Sequence, residues 1–350
     1  MGKVLDVQCP HCSAPVRFSA KIGKMHCEYC GYKFDASEIK KTSDEEVVEI
    51  VEETQDDSEV NYVRYNCPDC GAEIITEENT AATFCLYCGN TSIIRNRLEG
   101  KFAPSLIIPF KTEKEKAIEA FKNIRKGRPF VPSSFNSEAN IEKITGLYIP
   151  FWLYNITVDG RMDGTATKVK HWTVGNTHYT KTDYYNVERA GKMYFKRVPV
   201  DGSKKFDNDI MNTIEPFDYG ELVKYNHAYL SGFLAEKYDV DSEEAFTDAK
   251  ERVLTSGKKT IDKSLNYATV SKKNEVVEVA DKQNEYVLLP VWMVSVKYNN
   301  EFYIFAMNGQ TGEFVGNIPL DKKKVVIYTA LVFLCVMIIF LIGSLIIYYV

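Results

Sequence analysis

A repeated cysteine spacing, an uninterrupted apolar run at the C-terminus and a mixed helix and strand pattern between them predict a multidomain chain. The expected parts are two small metal-built β ribbons, an α+β region read as two related helix-plus-sheet halves, and one C-terminal transmembrane helix. The expected boundaries are a first ribbon at 1–36, an acidic linker at 37–62, a second ribbon at 63–99, the α+β region at 100–321 and the membrane anchor at 325–350.

The ribbons come first in the chain. Cys9-x2-Cys12, fourteen residues and Cys27-x2-Cys30 are followed by Cys67-x2-Cys70, fourteen residues and Cys85-x2-Cys88. Two CxxC pairs per unit is the spacing of a four-cysteine zinc site. Such a site is coordinatively closed, so the metal is expected to build structure rather than perform chemistry. Val7-Gln-Cys-Pro-His-Cys12 parallels Tyr65-Asn-Cys-Pro-Asp-Cys70, and His26-Cys-Glu-Tyr-Cys-Gly31 parallels Phe84-Cys-Leu-Tyr-Cys-Gly89. Gly31 and Gly89 offer positive φ just after the second knuckle. The spacers carry alternating segments suited to a short β-ribbon. The eight cysteines are therefore the expected ligands of two structural Zn2+ ions, and His11 and His26 are surface residues beside them. A four-thiolate set also accepts iron, and zinc is preferred on chemical grounds.

The N-terminus lacks an apolar signal-peptide core, so these thiols are expected to stay reduced in the cytoplasm. With 43 basic against 48 acidic residues, the chain does not have the basic balance of a general nucleic-acid binder. The first unit combines Lys3, Arg17, Lys21, Lys24 and Lys33 with Phe18, Tyr29, Tyr32 and Phe34. In the second, Asp69, Glu73, Glu77 and Glu78 outweigh Arg64, Arg95 and Arg97. Protein docking is favoured, and a membrane-tethered nucleic-acid binder is the alternative. Between the units, residues 43–59 are rich in Asp and Glu and read as a solvated linker.

In the α+β region, Thr112-Glu-Lys-Glu115 reads as a capping box. Ala117, Ile118, Phe121 and Ile124 then form a helical apolar face that Gly127 ends. Tyr148-Ile-Pro-Phe-Trp-Leu-Tyr154 echoes Leu288-Leu-Pro-Val-Trp-Met-Val294, with Pro and Trp at the same offsets. Trp152 and Trp292 are expected in the core. Residues from Ser242 to Leu254 read as a helix, and a hairpin turn is expected at Asn299-Asn300. His171 and His178, seven apart, would lie on opposite faces of a single strand. No catalytic residues emerge. Gly257-Lys258 imitates the end of a P-loop, but Arg252 and Lys259 occupy positions that need glycine and Ser/Thr. No enzyme activity is expected.

The anchor closes the chain. From Val325 to Val350 no residue is charged. As a helix this run extends about 39 Å, enough for a tilted crossing of a hydrocarbon core about 30 Å thick. Lys322-Lys323-Lys324 precede it, and the positive-inside rule keeps them cytoplasmic. The expectation is a tail-anchored cell-membrane protein with cytoplasmic N-terminal domains and its C-terminus outside.

Tandem CPxC…CxYCG units, the PFW and PVW segments, Phe305-Ala-Met-Asn-Gly-Gln-Thr-Gly-Glu-Phe-Val-Gly316 and the terminal apolar run together resemble a YdjG-like family of zinc-ribbon membrane proteins from Firmicutes. Such proteins are often labelled primosomal-helicase-like or phage-replisome-organizer-like, and this chain lacks the P-loop a helicase needs. The resemblance implies a membrane-stress adaptor that recruits a PspA-like protein and an SPFH-domain protein, together with a related zinc-ribbon membrane protein. Only the eight cysteines carry over residue by residue.

Overall fold

Three strands of 25 to 30 residues organise the molecule, far beyond the usual five or six. The computed structural model describes residues 4–5, 7–39, 62–66, 73–77, 80–84, 91–94, 102–132, 135, 141, 144–206, 208–299 and 301–349. The N-terminal third holds β1 (Val4–Leu5), β2 (Arg17–Ser19), β3 (Lys24–His26), β4 (Lys33–Phe34), β5 (Tyr62–Asn66), β6 (Glu73–Glu77), β7 (Thr80–Phe84) and β8 (Thr91–Ile94). Then follow β9 (Leu106–Ile107), α1 (Lys114–Lys122) and the hairpin of β10 (Thr145–Val174) and β11 (Thr177–Asp201). The helix α2 (Asn208–Thr213), β12 (Val223–Lys224), β13 (Leu234–Glu236) and α3 (Ser242–Lys263) come next. The chain continues through β14 (Thr269–Tyr298), β15 (Glu301–Asn308) and β16 (Phe314–Gly316) into α4 (Lys322–Tyr349).

β10 lies antiparallel between β11 and β14, from Thr145↔Met293 to Thr167↔Thr269 on the β14 side. At the base of this ribbon the strands are continuously apolar because both faces are covered. Tyr148, Trp152, Leu288 and Trp292 point into one core with Ala117 and Phe121 of α1 and Ala245, Ala249 and Val253 of α3. Leu147, Ile149, Phe151, Val287, Leu289 and Val291 point into the other, closed by Ile210 and Met211 of α2 with Ile214 and Phe217. Farther out only one face is covered, where Ile261 of α3 meets Met162, Ala166 and Val187. Beyond Thr167 β14 no longer runs alongside, and β10 and β11 continue as a two-stranded hairpin that turns at Gly175, φ 61°.

The two Pro-Trp echoes are neighbours. They pair antiparallel about Ile149↔Leu289, which sets Pro150 opposite Leu288 and Pro290 opposite Tyr148. Their surroundings match in detail. The Pro150 carbonyl accepts from Gly202 N–H at 2.9 Å, and the Pro290 carbonyl accepts from Gly309 N–H at 2.8 Å. The Gly202 carbonyl accepts from Asp239 and Val240, and the Gly309 carbonyl from Lys111 and Thr112. The Trp152 indole donates to Val240 O at 2.9 Å and that of Trp292 to Thr112 O at 3.1 Å, each just before a helix. Parallel strands complete the match, with β13 alongside β10 and β9 alongside β14.

Three local expectations are corrected. Thr112 does not form a capping box. It is buried, its hydroxyl donates to Gly309 O at 2.8 Å, and Glu113 stands at the N-cap of α1. The tertiary partners Gly309 and Trp292 outcompete the local cap. The helix begun at Ser242 runs past Leu254 to Lys263, with Asp241 capping it through the Glu243 and Glu244 amides. Gly257-Lys258 thus lies inside a helix, where buried Gly257 packs against Val277 and Met193. His171 and His178 occupy two strands rather than one. His171 pairs with Thr180 and Thr173 with His178, which puts both imidazoles on one face.

The predicted turn at Asn299-Asn300 is bracketed by the pair Tyr298↔Glu301, with Asn299 at φ 50°. Trp152 and Trp292 are core residues as expected.

Candidate metal centre

Cys9, Cys12, Cys27 and Cys30 converge, with all four Sγ atoms within 4.8 Å of one another. Each pair is held in a knuckle whose backbone folds under the sulfurs. In the first, Ser13 N–H donates to Cys9 O and Cys9 N–H to Ala14 O, both at 2.8 Å. In the second, Gly31 N–H donates to Cys27 O at 2.9 Å and Cys27 N–H to Tyr32 O at 3.0 Å. The residue after each pair must adopt positive φ to close the loop. Gly31 does so at 70° as expected, while in the first knuckle Ser13 takes the same role at 58°. A serine in that position was not legible from its type.

The Sγ–Sγ separations are 3.7 Å for Cys9–Cys30 and 3.5 Å for Cys12–Cys27. A tetrahedral ion with metal–sulfur bonds of about 2.3 Å requires sulfurs about 3.8 Å apart. The donor set therefore fits a tetrahedral soft or borderline cation, and the four thiols are not paired as disulfides. Backbone amides support the anionic form. The Cys30 amide, and with it that of Tyr29, holds the Cys27 thiol down to about 7 against the opposing effect of burial. At Cys12 the Ala14 amide acts in the same direction, but burial and the three neighbouring sulfurs outweigh it and push that thiol up to about 12. A cation removes this conflict, since metal binding displaces the protons from all four sulfurs. His11 is not part of the cluster and stacks on Tyr32, with ring centroids 5.7 Å apart.

The three-stranded sheet β2-β3-β4 around these cysteines buries Val7, Val16, Phe18, Met25 and Phe34. That core is small, so a bound ion would add directly to folding. The unit is also fastened to the rest of the molecule. Phe18 N–H donates to Ser231 O at 3.1 Å, Asn226 Nδ2 donates to Ala36 O at 3.0 Å, and Phe18 meets Tyr229 edge to face at 5.2 Å.

Cys67, Cys70, Cys85 and Cys88, with Gly89, lie outside the described residues. The strands that flank them in sequence are described. β5 pairs with β6 from Tyr62↔Glu77 to Asn66↔Glu73, and β7 with β8 from Ala82↔Ile93 to Phe84↔Thr91. β8 also pairs with β1 ahead of the first unit, and β7 with β13 of the large sheet.

No family model matches the chain, and no solved structure matches it. It is 33% identical over 323 residues to the uncharacterized protein YdjG of Bacillus subtilis (strain 168), a match that covers 92% of each chain. The chain belongs to the YdjG family.

In this YdjG-family chain a second feature stands beside the cysteines. α4 is long and apolar enough to cross a membrane from Lys322 to Ser344. Most of its side chains up to Ser344, including Phe333, Ile339 and Phe340, are exposed, as those of a soluble protein's core helix would not be. Among the described residues its first turns touch the body, where Lys324 donates to Val131 O at 2.8 Å and Tyr328 meets Phe130 edge to face at 5.3 Å. Cys335 lies on this exposed helix, far from the sulfur cluster in sequence.

Proposed function

We propose that the chain is a single-pass membrane adaptor whose folded part faces the cytoplasm and recruits protein partners during membrane stress. The observation that carries this reading is the presence, on one chain, of a closed four-thiol cluster and an exposed apolar helix. Four protein ligands leave no coordination position for a substrate, which favours a structural ion over a catalytic one. The helix confines what the folded part binds to the bilayer surface, where even weak contacts gain effective concentration.

Zinc is the proposed ion, in two ribbons. The second ribbon is supported by the pairing of β5 with β6 and of β7 with β8 on either side of the remaining CxxC pairs. The cytoplasmic orientation is supported by Lys322-Lys323-Lys324 ahead of the apolar run. The matched Pro-Trp environments support two related strand–helix–hairpin halves that exchange helices, since α1 precedes β10 in sequence but Thr112, just ahead of α1, accepts from Trp292 of β14. By resemblance, the partners are a PspA-like protein and an SPFH-domain protein, with a related zinc-ribbon membrane protein acting alongside.

Two measurements test this. Metal analysis of the full chain in detergent should return two zinc ions per chain; one ion, or iron, overturns the metal assignment. Crosslinking and pull-down from host membranes should recover the PspA-like and SPFH-domain proteins with the wild-type chain. Recovery should fall with Cys67→Ser/Cys85→Ser if the second ribbon docks them. Recovery of neither from wild type would sink the adaptor reading.

A further inference from the structure

The free end of the β10–β11 hairpin is a built apolar and basic tip. From Lys168 to Asp183 the chain reads KVKHWTVGNTHYTKTD, with three lysines, two histidines and one carboxylate, Asp183, which pairs with Lys181 at 2.9 Å, in a protein whose net charge is −5. The register sorts these side chains by face. Trp172 opposes Tyr179 and Val174 opposes Thr177 at the extremity, and Lys170 opposes Lys181 one rung behind. His171, Thr173, His178 and Thr180 occupy the other face, where His171 Nδ1 meets Thr180 Oγ1 and His178 Nδ1 meets Thr173 Oγ1, both at 2.9 Å. Trp172 stacks flat on Tyr179, with centroids 5.5 Å apart, yet stays 46% exposed, and Val174 is 63% exposed. Two features of this face are unfavourable in water. Like charges stand directly opposite at Lys170 and Lys181, offset in part by Asp183 beside Lys181, and an indole, a phenol and a valine project from a hairpin with no core beneath them.

We infer that this tip is a second membrane contact, which dips its Trp172–Tyr179–Val174 end into the interface of an anionic leaflet of the same bilayer that α4 enters. The inference rests on the anchor reading of α4. An interface accepts each part of the tip. Trp and Tyr sit at the headgroup level, Val174 reaches the acyl boundary, and Lys170 and Lys181 meet lipid phosphates from behind. Charge selects the surface, since the tip is locally cationic and a cytoplasmic leaflet is anionic. α4 joins the body beside Phe130 and Val131 while the tip stands at the far end of β10 and β11. The tip therefore meets the leaflet that α4 enters with the ribbon laid along the surface, where the tether raises its effective concentration. The apolar extremity distinguishes the site from a single-stranded nucleic-acid platform, which uses aromatic faces and cations but has no use for an exposed valine at its end.

The test uses the full chain in vesicles of phosphatidylcholine, alone or with about one-third phosphatidylglycerol, and reads tryptophan quenching by neutral acrylamide. Trp152 and Trp292 are each only 7% exposed, so the quenchable signal belongs to Trp172; Trp172→Phe provides the background. Trp172 should be shielded severalfold more in the anionic vesicles than in the neutral ones, with a blue-shifted emission. Lys170→Gln/Lys181→Gln should move its shielded-to-accessible ratio about thirtyfold toward accessible. Equal accessibility in both lipids and in detergent overturns the proposal. So does shielding by a single-stranded oligonucleotide in detergent with none from the bilayer, shielding that grows with protein concentration in detergent, or shielding that appears only when empty anionic vesicles are added. Flotation of the chain with its vesicles reads α4 separately. A chain that floats while Trp172 stays open refutes the tip alone, and a chain that does not float refutes the anchor and the same-bilayer assignment with it.

Discussion

At its base the ribbon of β10, β11 and β14 is buried on both faces, and at the far end of the same strands β10 and β11 are exposed on both. The pairing of β10 with β11 runs between these ends apart from one local register shift, although β14 leaves β10 beyond Thr167, so the β10–β11 ladder does not by itself distinguish them. Side chains do. The base offers Tyr148, Phe151, Trp152, Leu288 and Trp292 to two cores, while the tip offers Trp172, Val174 and Tyr179 to no part of the described molecule. Large apolar residues thus have opposite meanings along one strand, and what covers them decides whether they stabilise the fold or serve as a surface.

The largest expected effect is at the base. Trp292 is buried, donates to Thr112, and meets Phe110 at 5.0 Å and Phe233 at 6.0 Å. Trp292→Ala should lose about 3–5 kcal/mol in chemical denaturation of the detergent-solubilised chain. A loss below about 1 kcal/mol would break the comparison, since the base would then behave like the tip.

A smaller effect comes from the end of β11. Asp201 is buried, its Oδ1 accepts from Ser203 N–H at 3.1 Å, and its Oδ2 has no hydrogen-bond partner. Burial, with the nearby charges of Asp239 and Glu236, pushes its carboxyl up to about 8. Between an unfolded value near 4 and that folded value, the folded state keeps a proton that the unfolded state has lost. Stability therefore falls as pH rises through this window, and the penalty is complete above pH 8. Asn308 occupies the matching place before Gly309 and fills it without a charge, donating to Ile214 O at 3.0 Å. Asp201→Asn should flatten the pH 4–8 slope and stabilise the chain at pH 8 by about 2–4 kcal/mol. An unchanged slope in pH-dependent unfolding would show that the site titrates normally.

The sequence was most informative where one local chemistry dictates structure. Cysteine spacing identified the first cluster, since a four-thiol site needs only two knuckles, and an unbroken apolar run identified α4. Residues whose roles depend on distant partners were less legible. Thr112 has the local signature of a cap, but Gly309 and Trp292 claim it. The length of β10 was hidden because its pattern changes from continuous to alternating to polar as its cover thins. The tip was missed for a related reason. Its basic run was visible, but only the strand pairing brings Trp172 onto Tyr179 with the lysines behind them.

Midway along the ribbon the effect should be intermediate. Gly164 sits at a register shift between β10 and β14, and a Cβ there would lie 2.3 Å from the Ser271 carbonyl oxygen. Backbone cannot swing aside as a side chain can, so Gly164→Ala should cost about 1–3 kcal/mol. A neutral result would mean that β14 has already detached by this point, and would move the boundary between base and tip inward.

The smallest effect belongs to the tip. Trp172→Ser/Val174→Ser removes the exposed apolar surface at the extremity of the hairpin and its aromatic stack. A cross-strand aromatic pair contributes about 0.2–1 kcal/mol to the strands it joins, but that contribution is local. The two-stranded end opens without disturbing either core, so its free energy of opening lies well below that of global unfolding. Global stability should stay within about 0.5 kcal/mol of wild type, while amide exchange across residues 169–181 speeds up. Faster exchange with unchanged global stability would confirm that the tip folds as an appendage of the base. A global loss as large as that of Trp292→Ala would place Trp172 in a core and remove the surface on which its proposed membrane contact depends.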